Sequence, residues 1–172
     1  MENKITKTIC NRVSCRNFSD KKVSLSKIKT ITKCGEMAPS AKNQQIVNIL
    51  VLNSKKHVEK LRELSIEVLN RDCFYGAKTL ALVYAPKDHK FCETDCSCVL
   101  ENMFIAATSL NVNSCWINQV NDLFETEKGK KLKKKIGIYD EAKVVGTCAL
   151  GYVSDGVTLN VKERKKDFTK IL

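Results

Sequence analysis

The chain is poor in the residues that break or link structure. Its 172 residues include only two prolines and seven glycines. No Gly/Ser- or Pro-rich stretch, internal repeat or low-complexity run marks a linker. Residues 1–172 therefore read as a single domain, with 157–172 as a basic C-terminal tail. Long apolar runs are also missing. Stretches such as Ile49–Leu52 fall far short of the roughly 20 residues that a membrane helix needs. Met1–Cys15 is polar and charged, with no apolar segment ahead of a small-residue cleavage site. The expectation is a soluble, cytoplasmic protein with no membrane partner. Aromatics are scarce, at 6% with one tryptophan, and they do not interleave with the basic residues. That argues against a stacking surface for single-stranded nucleic acid. Acidic residues are short too. Nineteen face 30 Lys and Arg, a net charge of +11, so anionic partners are expected: phosphorylated cofactors, or a nucleic-acid backbone.

What is present is ordinary for a globular domain: 43% hydrophobic and 28% charged residues. The nine cysteines are odd in number and irregularly spaced, so they read as reduced thiols, several of them small core residues. Cys92, Cys96 and Cys98 are locally dense. Their spacing matches neither ferredoxin runs nor paired zinc knuckles, and no metal site is expected.

Hydrophobic periodicity predicts a helix over Glu2–Cys10 with Ile5 and Ile9 on one face, then an irregular stretch from Arg12 to Phe18. Ser24 reads as the N-cap of a second helix, which stops before Pro39. Val47–Leu52, Thr79–Tyr84, Ser114–Ile117 and Lys143–Tyr152 read as strands. Lys55–Leu69, Asp95–Asn111 and Asn121–Lys135 read as helices, the last with a solvated basic face. Helices dominate over strands, which indicates an α+β or α/β fold with one mixed sheet.

Four segments carry candidate chemistry. Arg12-Val13-Ser14-Cys15-Arg16 sets two guanidinium forks around a hydroxyl, a combination that wraps a phosphate or simply sits on the surface. Pro39-Ser40-Ala41-Lys42-Asn43-Gln44-Gln45 offers amide donors and acceptors that suit the alternating N–H and C=O edge of a flavin, or forms an ordinary turn. Cys115-Trp116-Ile117 places the lone Trp at a helix-to-strand junction, over a flat ring or in the core. Arg164 and Lys165 lie in a basic tail that closes on a phosphate or stays solvated.

Taken in order, the Arg-x-Ser-x-Arg segment, the Pro-Ser-x-x-Asn-x-Gln loop, the Ser-Cys-Trp-Ile junction, the Ala-Leu-Gly-Tyr strand end and the basic tail resemble the nitroreductase family of FMN flavoproteins. The resemblance runs from about Ile5 to Phe168. It implies an α+β nitroreductase-like fold: a mixed, mainly antiparallel sheet flanked by helices, in an intertwined homodimer with FMN at the interface. Arg12 and Ser14, joined by Arg164 or Lys165, would hold the phosphate, and Arg16 would lie near the pyrimidine edge. Pro39, Ser40, Ala41 and Asn43 would approach the same flavin from the other subunit. Cys115, Trp116 and Ile117 would line the ring. The activity implied is an FMN-dependent oxidoreductase that passes hydride and electrons from NAD(P)H to a small-molecule electron acceptor by a ping-pong scheme. No catalytic side chain is assigned. The alternative reading is a basic nucleic-acid-binding domain without flavin.

Overall fold

The structure is a computed structural model and describes residues 3–166 and 169–171. Glu2 of the first predicted helix, and Asp167, Phe168 and Leu172 of the predicted tail, lie outside the described residues.

Capping residues set most helix starts. Asn3 accepts hydrogen bonds from the Ile5 and Thr6 N–H groups and opens α1 (Lys4–Asn11). Ile5 and Ile9 share a face of α1, as expected, but both are exposed. Ser24 caps α2 (Leu25–Glu36), which ends before Pro39. Ser54 caps α3 (Lys55–Leu69), and Asn70 closes it in a left-handed conformation with φ 54°. The long helix α4 (Cys92–Ser109) starts three residues earlier than Asp95. It puts Cys92 and Cys96 in the core and Cys98 on the surface.

The strands β1 (Asn48–Leu52), β2 (Thr79–Pro86), β3 (Asn113–Ile117) and β4 (Ala142–Gly151) form one sheet in the order β1-β2-β4-β3. Every ladder is antiparallel. Among the described residues, parallel pairing is confined to an isolated bridge between Ser14 and Ser114. The sheet is covered on both faces, which is why β2 and β4 read as nearly continuous apolar runs. Leu80, Leu82 and Ala149 pack with α3 residues such as Leu61, while Ala81, Val83 and Cys148 pack with α2 and α4. An α+β architecture with a mainly antiparallel sheet and flanking helices is thus what the chain adopts.

The single basic helix expected over Asn121–Lys135 is two helices, α5 (Val120–Glu125) and α6 (Glu127–Lys135). Thr126 leaves helical geometry at ψ 154°, and its hydroxyl accepts from the Gly129 N–H at 3.0 Å. A Cβ at Gly129 would fall 1.7 Å from the Leu123 carbonyl oxygen, so only glycine permits this turn. The basic face is also not wholly solvated. Lys133 is buried, its ammonium donating to the Asp140 and Ala142 carbonyl oxygens. Burial lowers its pKa below the usual lysine value. Among the described residues, no helix is long and apolar enough to cross a membrane.

Candidate functional site

The Arg12–Arg16 segment leaves α1 in extended conformation, with Arg12 at φ −63° and ψ 124°. It then runs beside the edge strand β3: Ser14 bridges Ser114, and the Cys15 N–H donates to the Ser114 carbonyl at 2.9 Å. The downstream end is pinned at Phe18, whose N–H donates to the Tyr75 carbonyl at 3.1 Å. The Phe18 ring occupies space that a Cβ at Gly151 would enter, 2.7 Å from Cδ1. The Cys15 side chain is fully buried. Arg12 and Ser14 are half-buried, Arg16 is exposed, and an Arg12 Nη1 lies 3.5 Å from Ser14 Oγ. Both guanidinium groups also act on Cys115. Its burial pushes the thiol pKa up, and Arg16 and Arg12 partly oppose the rise. Four polar side chains therefore gather at the start of β3: Arg12, Ser14, Arg16 and Ser114.

Ser114 is the member that composition alone did not single out. It is 1% exposed, and among the described residues its hydroxyl has no hydrogen-bond partner. Buried hydroxyls are normally satisfied, and an unmade bond costs about 1–3 kcal/mol. A ligand oxygen beside Ser14 would satisfy it.

The second group is the loop after α2. Ala41–Asn43 forms one 3₁₀ turn. Lys42, Asn43 and Gln45 adopt positive φ values of 52°, 54° and 50°. Gln45 N–H donates to Ser40 Oγ, and Gln45 Nε2 to Asn43 Oδ1. Pro39, Ser40, Asn43 and Gln45 line an open cleft of ≈ 750 Å³ that continues onto Asp95 and Val99 of α4. The Ala41 N–H donates to both carboxylate oxygens of Asp95, at 3.1 and 3.2 Å. Asp95 lies in the first turn of α4, whereas Ser14 and Ser114 lie just past its last. Asp95 and Ser109 are 14 residues apart on that helix, about 21 Å at 1.5 Å per residue. One chain does not bring the arginine segment and the loop together.

The β3 residues divide by strand alternation. Cys115 and Ile117, at 2% and 1% exposure, turn into the core on the α3 side. Trp116 turns the other way. It lies over bare Gly146, where a Cβ would come within 2.7 Å of its Nε1, and its ring centroid is 6.0 Å from that of Phe104 on α4. The half-exposed rim of Trp116 and the outer backbone edge of β3 are what these residues offer a ligand. Arg164 and Lys165 are exposed. Among the described residues, no hydrogen bond or ion pair ties them to Arg12 or Ser14.

Residues 9–72 and 65–152 match the model of the Nitroreductase family. A protein of Archaeoglobus fulgidus, provisionally named an NADH dehydrogenase/NAD(P)H nitroreductase, is 30% identical over 154 residues, covering 87% of this chain and 85% of its own. A nitroreductase of Bacteroides fragilis, solved with bound FMN, superposes with a TM-score of 0.94 at 28% identity, covering 99% of this chain and 100% of that one. A nitroreductase of Desulfitobacterium hafniense, also solved with bound FMN, shares the fold at a TM-score of 0.89 and 21% identity, with both chains covered in full at 100%.

Proposed function

The chain belongs to the nitroreductase family of oxidoreductases, and from that premise we propose that it binds FMN between two copies of itself. There it passes reducing equivalents from NAD(P)H to a small oxidised acceptor such as a nitro compound or a quinone. The observation that carries this reading is the meeting of Arg12, Ser14 and Arg16 with Ser114, whose buried hydroxyl has no partner among the described residues. A phosphate dianion suits that set: fixed positive charge, hydroxyl donors and a sheltered edge. The FMN bound by the B. fragilis and D. hafniense nitroreductases supports it.

Arg12, Ser14 and Ser114 hold the phosphate. Arg164 or Lys165, from the basic tail, joins them on the same anion. Arg16 supplies positive charge near the pyrimidine edge, where negative charge gathers on reduction. Pro39, Ser40, Ala41 and Asn43 come from the second copy. That division explains why one chain keeps the two groups at opposite ends of α4. The exposed apolar pair Ile5 and Ile9 on α1 gives the second copy a surface to cover. The rim of Trp116 and the backbone of Cys115 and Ile117 flank the ring. Bound FMN would supply the two-electron chemistry. The protein's side chains bind, orient and polarise, and none needs to act as acid or base.

The test is direct. The purified protein should be yellow, release flavin on denaturation, and bleach anaerobically with NADH or NADPH. Colourless protein that takes up no added FMN at micromolar concentration would contradict the reading.

A further inference from the structure

Three non-glycine residues with left-handed backbone, Lys42, Asn43 and Gln45, stand within four positions of one loop. Such conformations cost on the order of 1 kcal/mol each, less for asparagine, and persist only where the surroundings over-determine them. Most of the bonds that shape this loop are its own: Asn43 N–H to the Ser40 carbonyl, Gln44 N–H to the Ala41 carbonyl, Gln45 N–H to Ser40 Oγ, and Gln45 Nε2 to Asn43 Oδ1. Internal bonds set a shape but do not fix its place. The hydrogen bond that ties the turn to the body of the protein comes from 54 residues away, where Asp95 accepts the Ala41 N–H with both oxygens.

Asp95 is costly where it stands. It is 5% exposed, and among the described residues no lysine or arginine pairs with it. Nor does it cap its own helix. Phe91 is the N-cap of α4, so Asp95 is the fourth helical residue, and the donor it binds belongs to the loop. Proximity to the positive end of α4 helps a carboxylate there. Helix formation alone, however, would be served as well by alanine or leucine. A buried carboxylate aimed at a single loop N–H makes sense if the position of that N–H matters.

We infer that Asp95 is a positioning residue: by clamping Ala41 N–H it holds residues 40–45 in their left-handed shape and in register with α4. The inference rests on the flavin reading for its consequence, because Ser40, Ala41 and Asn43 are the loop residues assigned to the ring. Asp95 borders the same cleft as the loop, and both of its carboxylate oxygens are committed to the Ala41 N–H, so it acts through the loop. Fixing the loop before the ligand arrives lowers the ordering cost of binding and fixes where the amide groups meet the ring.

The experiment compares Asp95→Ala with Asp95→Asn, which keeps the shape and one acceptor oxygen. Two readouts are used. The first is trypsin cleavage of the flavin-free protein after Lys42, followed by mass spectrometry. The second is FMN titration, with the vibronic structure of the flavin absorbance band and the flavin midpoint potential. Asp95→Ala should cleave faster at Lys42, weaken FMN between about ten- and a hundredfold, and alter the band shape and potential. Asp95→Asn should restore all of these most of the way to wild type. Wild-type cleavage and wild-type flavin properties in Asp95→Ala would overturn the inference. So would equal damage from both variants accompanied by equal loss of melting temperature, which would make Asp95 a fold residue only. If the wild type itself bound no FMN, the flavin reading would fall, and cleavage at Lys42 would still decide the clamp.

Discussion

The Arg12–Arg16 segment and the Ser40–Gln45 loop sit at opposite ends of α4 and are held by different means. The arginine segment is free of left-handed residues and is held by backbone bonds at two points: Ser14 and Cys15 pair with Ser114 of the edge strand β3, and Phe18 is anchored on Tyr75. Its functional side chains project from a backbone that any sequence of this kind could adopt. The loop is strained at Lys42, Asn43 and Gln45, shaped by its own side chains, and fixed by one buried carboxylate on another element. In the proposed site the first half would supply charge and the second would supply shape. Charge tolerates small displacements, because it falls off slowly with distance. Matching amide groups to a ring edge does not.

Four experiments test that contrast and the packing beside it, and the largest effect should come from separating the copies. Ile5→Asp with Ile9→Asp places two charges on the exposed face of α1. It should turn a dimer into a monomer by sedimentation and weaken FMN by about a hundredfold or more, since burying two isoleucines is worth about 3–6 kcal/mol. Neither residue is assigned to the flavin, so an FMN affinity unchanged in a true monomer would put the whole site in one chain. Next, Arg12→Ala should raise the FMN dissociation constant about ten- to a hundredfold, the value of a charge-assisted hydrogen bond of about 1.5–3 kcal/mol. Lys131→Ala, on the exposed face of α6, should leave it unchanged, and equal effects would show that charge acts without place. Smaller again, Gly146→Ala brings a Cβ within 2.7 Å of Trp116 Nε1 and 2.9 Å of Leu100 Cδ1. It should cost about 1–3 kcal/mol in chemical denaturation by overpacking.

The smallest effect is a slope with pH. Burial raises the Cys15 and Cys115 thiols above 9.0. The folded state therefore keeps these protons after the unfolded chain has lost them. The stability they contribute is present below pH 9 and is lost as pH rises through the folded values. Cys115→Ala should flatten that alkaline fall in thermal melts, and an unchanged slope would show that the thiol does not titrate with unfolding.

The same contrast governs what could be read from residues alone. The helix start after Ser24 and the one at Lys55 were legible because capping and periodicity are local. So was the stop before Pro39. The grouping of Arg12, Ser14 and Arg16 was legible because they lie within five consecutive residues, and the phosphate assigned to them belongs to the proposal. Ser114 was visible only as part of a motif, since its role depends on pairing with Ser14 a hundred positions away. Asp95 looked like a helix-opening acid, and only tertiary packing shows that its oxygens serve Ala41. Cys115 and Ile117 shared a motif with Trp116, yet strand alternation sends them to the opposite face, into the core. The break at Thr126 had a signal, a capping threonine three residues before Gly129, that the reading of Asn121–Lys135 as one helix passed over. Burial of Lys133 had none, because nothing local distinguishes it from Lys131 or Lys134.

The central claim is that one flavin is held by two chains, the arginine half of one facing the loop half of the other. It is tested most directly by a heterodimer of an Arg12→Ala chain with an Asn43→Ala chain, purified through two different tags. Such a dimer carries one site with both defects and one with neither. The account predicts one FMN bound per dimer with wild-type affinity, although each parent homodimer binds weakly at both sites. Two weak sites in the heterodimer, with no recovery, would contradict it.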